Sequence, residues 1–150
     1  LGSNLWKDYD LPYLEELAIK FLQFPITTYQ QEEEIWMKGS EANELGVLLD
    51  GKICSLLDNG KSFQTVLPPA LIGLSCVVKE KTRTRTLVAI DDDTKIILIP
   101  LSFIENIEEK NRPLHSILVT MALRSLYYRQ KSEYSLFHAG SMGNLLNNNK

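Results

Sequence analysis

A chain of 150 residues is long enough for one domain that removes roughly 70% of its unfolded surface from water without disulfide or metal staples. Hydrophobic residues at 44% and charged residues at 23% fit a globular protein rather than a disordered or fibrous one. The formal net charge of −3 argues against a general nucleic-acid binder, which needs cationic excess to displace counterions from phosphates, and no apolar stretch approaches the ~20 residues of a membrane span. No cationic start followed by an apolar run marks a secretion signal, and the N-terminal Leu predicts a native chain that begins further upstream. Cys54 and Cys76 have neither the spacing of a disulfide framework nor that of a metal knuckle. They read as buried apolar thiols in a cytoplasmic, reducing setting.

Charge is spread unevenly. Residues 1–75 carry 5 basic and 11 acidic groups, and residues 76–150 carry 11 and 8. The acidic run Glu32-Glu33-Glu34, with Glu41 and Glu44, reads as a solvated face. The cations Lys79, Lys81, Arg83 and Arg85 cluster instead after a glycine.

Three zones follow one another. From about Tyr9 to Phe24, Leu11, Leu14, Leu17, Ala18, Phe21 and Leu22 recur at three and four residues, which predicts a helix with one apolar face. Pro25 ends it. Residues 26–100 read as β, with strands predicted at Leu45–Leu49, Lys52–Leu57, Phe63–Leu67 and Lys95–Ile99. Asp50-Gly51 and Asn59-Gly60 read as hairpin turns in which both central residues take positive φ. Lys38-Gly39 and Pro68-Pro69 add further breaks, and so many short strands predict an antiparallel barrel, roll or sandwich. A short helix is predicted over Phe103 to Glu109, and a longer one from Arg112-Pro113, with Pro in its first turn. On the longer helix Leu114, Leu118, Met121, Ser125 and Tyr128 alternate at four and three, a stripe able to bury against the β body, to pair with its own copy, or both.

Signatures of catalysis are missing. His115 and His138 are the only histidines and both lie in the C-terminal zone, too few for a metal-binding β-barrel enzyme. His115 reads as a helix-surface or interface residue. No serine has a nucleophile elbow, no cysteine has a base partner, and no Gly-rich phosphate loop occurs. We therefore expect neither an enzyme nor a metal site. The segment from Pro69 to Ala89 carries the most information. Gly73 permits close backbone approach and exposed amides, and Arg83, ten residues on, supplies a two-pronged cationic fork. By residue type alone the segment is either an anion site of phosphate size or a glycine turn before a strand whose arginines point to water.

From about Phe24 to Arg129 the chain resembles a cyclic-nucleotide-binding domain of the Crp/Fnr type. The resemblance rests on Tyr29, Ile35 with Lys38-Gly39, Leu45–Leu49 ending in Asp50-Gly51-Lys52, Leu71-Ile72-Gly73, Arg83-Thr84 leading to Val88-Ala89, Ile96–Ile99-Pro100, and the long final helix. It implies a mainly β fold, an eight-stranded β-roll of the jelly-roll kind with flanking helices, its pocket closed by the last helix, which also dimerises. In the family's phosphate cassette a Gly-Glu pair precedes the Arg. Backbone amides and the Arg take the cyclic phosphate, and the Glu takes the ribose hydroxyl. Gly73, Arg83 and Thr84 match, but Leu74 stands in the place of the Glu, with Ser75 after it, and Arg85 sits where the family prefers a small residue. An apolar side chain there leaves a buried 2′-hydroxyl without its acceptor, at about 1–3 kcal/mol. The candidate ligand site is thus an anion pocket at Gly73, Leu74, Ser75, Arg83 and Thr84, with no cofactor, a cyclic nucleotide disfavoured, and another small anion, a metabolite or no ligand in its place.

The expected organisation is an N-terminal helical segment over 1–25, the β-roll over 26–100, C-terminal helices including the dimerisation helix over 101–137, and a tail over 138–150. The asparagine-rich tail predicts that a helix-turn-helix follows Lys150. The expected function is the effector-sensing and dimerisation domain of a Crp/Fnr-type transcription regulator, a cytoplasmic homodimer that reaches DNA through that following part and does not engage a membrane. An iron–sulfur sensor is disfavoured, since two cysteines cannot supply four thiolates. The second reading is a stand-alone regulatory module that binds a protein partner through the acidic face at Glu32–Glu34. A third, a metal-dependent β-roll enzyme, predicts bound metal.

Overall fold

The computed structural model describes residues 11–78, 80–124 and 127. Helix α1 spans Leu11–Phe21, and Leu17 and Phe21 are its buried side chains among those described, while Ala18 and Leu22 of the predicted stripe are exposed. The helix stops before Pro25 because residues 22–24 tighten into a closing turn, with Gln23 N–H donating to the Lys20 carbonyl and Phe24 N–H to that of Phe21.

Eight strands follow: β1 (Ile26–Tyr29), β2 (Glu34–Trp36), β3 (Glu44–Asp50), β4 (Ile53–Leu56), β5 (Ser62–Val66), β6 (Ala70–Ile72), β7 (Thr86–Ala89) and β8 (Thr94–Pro100). They form two four-stranded antiparallel sheets in the orders β1-β8-β3-β6 and β2-β7-β4-β5. The chain crosses repeatedly between the two sheets, and this makes the roll. In the first sheet the central strands β3 and β8 are buried on both faces. From β3 and β8, Leu45, Ile97 and Ile99 pack on the helix side, while Leu48 and Ile96 join Trp36, Ile53, Ala70 and Ile72 between the sheets. Two buried faces explain why both strands read as almost unbroken apolar runs.

The two turn pairs differ from the expectation. At each only the glycine is left-handed, Gly51 at φ +83° and Gly60 at φ +82°. Asn59-Gly60 does close the β4–β5 hairpin, through Leu57 N–H to the Lys61 carbonyl at 2.8 Å and a Gly60 N–H to Leu57 turn bond at 2.9 Å. This is a type I turn ending on a left-handed glycine, in place of a mirror-image two-residue turn. Asp50-Gly51 makes no hairpin, because β3 and β4 belong to different sheets. It is a corner, and a Cβ at Gly51 would collide with the Thr94 side chain beneath it.

Helix α2 spans Leu101–Lys110 and buries Ile104 and Ile107. Phe24 meets Phe103 edge to face at 4.8 Å, which fastens the end of α1 to α2. Helix α3 begins at residue 112 and is described through 124. Asn111 caps it, its Oδ1 accepting from Leu114 N–H at 3.3 Å, and Asn111 Nδ2 donates to Glu16 of α1 at 3.1 Å. Leu114, Leu118 and Met121 have no exposed surface, and with Ala122 they close the core between helices and roll. The predicted dimer stripe is therefore corrected for these three residues. Side chains fully enclosed by their own chain attach α3 to the roll and present nothing to a second copy. Ser125 and Tyr128, the rest of that stripe, lie outside the described residues. So do His138 and Lys79.

Candidate functional site

Strand β6 ends at Ile72, and Gly73 takes φ +70° to turn the chain into a short 3-10 helix, Leu74–Val78. A side chain has no room at 73. A Cβ would lie 2.5 and 2.6 Å from two ring carbons of Trp36 and 2.8 Å from Nη1 of Arg83. Glycine is needed here both for its backbone and for the close approach of that ring.

Arg83 comes from the irregular segment before β7. That segment is laid against the turn after β2 by Arg83 N–H to the Ser40 carbonyl and Gly39 N–H to the Arg83 carbonyl, both at 2.8 Å. The Arg83 side chain points inward and is only 5% exposed. Nη1 donates to the Gly73 carbonyl at 3.3 Å, and Nη2 to the carbonyl of Glu44 at the start of β3. The guanidinium sits over the Trp36 ring, with Cζ 3.7 Å from the ring centroid. Trp36 is 9% exposed and spends its one donor on Glu44, Nε1 to Oε1 at 2.9 Å. Glu44 thus holds both partners, the cation through its carbonyl and the indole through its carboxylate. Cys76 adds a weak Sγ donation to the same carbonyl at 3.6 Å.

Burial pushes the Arg83 guanidinium below its usual range, and Cys76, Glu44 and Glu80 pull it back. Arginine stays charged regardless. Burial pushes the Cys76 thiol up, partly offset by Arg83. A charged donor to a buried carbonyl contributes about 1.5–3 kcal/mol, and a desolvated cation–π contact about 2. The cluster is therefore a tight internal network, in which Arg83 Nε alone finds no acceptor among the described residues.

Of the sequence-predicted site residues, Gly73 and Arg83 come together. Leu74 does not line the same space but belongs to the core on the helix side, 3% exposed. Ser75 is half-buried on the 3-10 turn, and Thr84 is exposed. Arg85 turns away to stack over Phe63 at 4.5 Å. Where an anion was expected the structure places an indole, and each terminal nitrogen of Arg83 donates one N–H to a main-chain carbonyl. Trp36 and Glu44 carry the site and were missed in the sequence. They stand 47 and 39 residues from Arg83, and only strand pairing brings them to it.

Two other features lie nearby. A cavity of about 310 Å³ opens outside the roll, walled by Ala42, Cys76, Val77, Ile104, Glu105 and His115 among others. The acidic run meets a second one, with Gln31 N–H donating to Asp92 and Gln30 paired to Asp93, so Glu32–Glu34 and Asp91–Asp93 share one end of the roll. Among the described residues no group of three His, Cys, Asp or Glu could hold a metal ion, and no helix is long and apolar enough to cross a membrane.

The architecture is a two-sheet antiparallel roll that brings a buried arginine to a left-handed glycine, with a helix seated on one of its sheets. Residues 26–111 match the cyclic nucleotide-binding domain family, and the chain belongs to it. Comparison with curated proteins finds no match. Among solved structures the chain is similar to a cyclic nucleotide-binding domain from Methylobacillus flagellatus, with TM-score 0.72, 14% identity, and 90% of this chain and 76% of that one covered. It is also similar to the catabolite activator protein of Thermus thermophilus, with TM-score 0.65, 19% identity, and coverage of 89% and 62%. FixK2 from Bradyrhizobium japonicum gives TM-score 0.62, 21% identity, and coverage of 72% and 55%. The chain thus spans a little over half the length of these two regulators. The β-roll with flanking helices expected from the sequence is the fold observed.

Proposed function

We propose that this chain is the effector-sensing and dimerisation domain of a Crp/Fnr-type transcription regulator, cytoplasmic and without catalysis, reaching DNA through a part beyond these residues. The observation that carries the reading is that one strand serves both the buried arginine and the long helix. Glu44 on β3 accepts from Arg83, and the adjacent Leu45 packs in the core cluster with Leu114, Leu118 and Met121. A rearrangement at Arg83 is therefore one residue away from the seat of α3. That is the coupling a domain needs if its effector is to bias a helix between two arrangements. The similarity to the catabolite activator protein and FixK2 supports the same reading. For dimerisation the accessible face of α3 is the one bearing Ser116, Thr120, Leu123 and Tyr127, at three- and four-residue spacing. Leu123 is 55% and Tyr127 60% exposed.

Cyclic nucleotide is disfavoured as the effector, because Leu74 offers no acceptor for a ribose hydroxyl and Trp36 fills the space before Arg83. The test is selection from a random duplex pool by the full-length product of the native gene. Sequence-selective binding as a dimer, weakened by Leu123→Glu, is the expected result. No selective binding would overturn it in favour of a module that acts on a protein partner. One observation favours that second reading, the convergence of Glu32–Glu34 with Asp91–Asp93 on one exposed end.

A further inference from the structure

We infer that the slot over Arg83 is a site for a planar aromatic ring bearing an N–H donor, and that Trp36 is its resident occupant, a ligand supplied by the chain itself. The inference rests on reading this roll as an effector domain, and it replaces an anion with an aromatic as the chemistry the site takes.

Three surfaces define the slot. Its floor is the bare backbone of Gly73, so close that a Cβ would stand 2.5 Å from the ring. One wall is the guanidinium of Arg83, whose Cζ lies over the ring 3.7 Å from its centroid. Its polar end is the Glu44 carboxylate, which accepts the indole N–H at 2.9 Å. Flat, cation-faced and ending in an acceptor, such a slot recognises shape, a π face and one N–H.

It is poorly built for an anion. Both terminal nitrogens of Arg83 already donate to the carbonyls of Gly73 and Glu44. Those bonds use two of the five guanidinium N–H donors, and Nε is buried and without an acceptor among the described residues. An anion replacing the ring would meet a guanidinium already held in place by two main-chain carbonyls. It would also lie beside the Glu44 carboxylate, which would have just lost its own N–H.

Trp36 is placed so that it can leave. It ends β2, a three-residue strand at the edge of its sheet, with a register irregularity between Glu34 and Trp36. The turn after it carries the 57%-exposed Met37 and a left-handed Gly39. Releasing the ring therefore disturbs one side of one short ladder, whereas a central strand would lose both. An effector must compete with a tethered rival, so its apparent affinity falls by the fraction of time the slot stands open.

The experiment uses thermal unfolding of the wild-type chain and of Trp36→Ala, with indole, benzofuran, cAMP and inorganic phosphate as probes. Trp36→Ala should unfold at a lower midpoint than wild type, and millimolar indole should raise that midpoint by about 2–4 °C. The same indole should leave wild type unmoved. Benzofuran, of the same shape without the N–H, should bind the variant about tenfold more weakly. A shift with cAMP or phosphate and none with indole would overturn the inference and restore an anion site. Equal indole shifts in wild type and variant would overturn the residency of Trp36. Should Trp36→Ala fail to fold, Trp6→Phe leaves Trp36 as the sole tryptophan of the chain. Its emission should then resist iodide, whereas quenching as complete as that of free tryptophan would overturn the inference. None of these outcomes depends on DNA selection by the full-length protein, so the two readings fail separately.

Discussion

The guanidinium of Arg83 sits over the Trp36 ring, its Cζ 3.7 Å from the ring centroid, and the two side chains are tied to the same residue by different atoms of Glu44. The roll thereby holds a buried cation from within, giving two of its N–H donors main-chain carbonyls and setting an indole beneath it. Removing any one member leaves the others partly orphaned.

Arg83→Met is the sharpest case. It keeps much of the length but leaves the Glu44 and Gly73 carbonyls without their donors and the indole without its cation. We expect a loss of about 3 kcal/mol, read as a lower urea midpoint at unchanged slope. Arg83→Lys should recover little, because an ammonium cannot fork to two carbonyls while stacking on a ring. Full recovery by lysine would show that charge alone matters there.

Gly73→Ala should cost about 2 kcal/mol or more, from the left-handed φ and from the collision of its Cβ with Trp36. Only the second part involves the ring. In a double-mutant cycle with Trp36→Ala the loss of the double variant should therefore fall short of the sum of the single losses by about 1 kcal/mol. Strict additivity would mean that the ring does not press on the glycine.

On α3 the two faces should answer differently. Leu118→Ala opens a cavity in the core and should cost about 2–5 kcal/mol. Leu123→Glu, on the accessible face, should leave the stability of a single chain within about 0.5 kcal/mol. Its effect should appear in sedimentation instead, as a shift toward monomer. Dimerisation that survives Leu123→Glu would place the seam elsewhere.

Stability should hold up to about pH 9 and decline beyond it. Burial raises the Cys76 thiol above its ordinary 9.0, and burial with Glu44 and Glu33 raises the Tyr29 phenol above 10.0. In each case the unfolded chain gives up its proton first, so the folded state holds more protons and loses stability as pH rises. The thiol sets the lower edge of this window and the phenol the upper. Cys76→Ala should flatten the first part of the decline in a urea series from pH 8 to 10, and an unchanged slope would remove Cys76 as its cause.

Much of the architecture was legible in the sequence because it follows from local chemistry. Apolar spacing gave α1, and Pro113 in the first turn announced α3. The apolar runs gave β3, β4, β5 and β8 within a residue or two. Strands β1, β2, β6 and β7 were not read as strands, since three or four residues with mixed exposure carry little periodicity. Leu114, Leu118 and Met121 were found as a stripe, but a stripe does not say which surface covers it. That is decided by the roll, whose outer sheet already presents Leu45, Ile97 and Ile99 to them.

The sequence by itself determined an antiparallel β body with helices at its ends, because turn chemistry and periodicity are properties of near neighbours along the chain, while the roll and the pairing of Gly73 with Arg83 came from the order of motifs that resembles a known family. What the guanidinium meets was decided only by the tertiary structure. Pairing β2 with β7 and starting β3 at Glu44 carries Trp36 and Glu44 across about 40 residues of chain onto Arg83. A buried cation must find its acceptors and its face somewhere, and no local pattern reveals which distant residues the sheets will deliver.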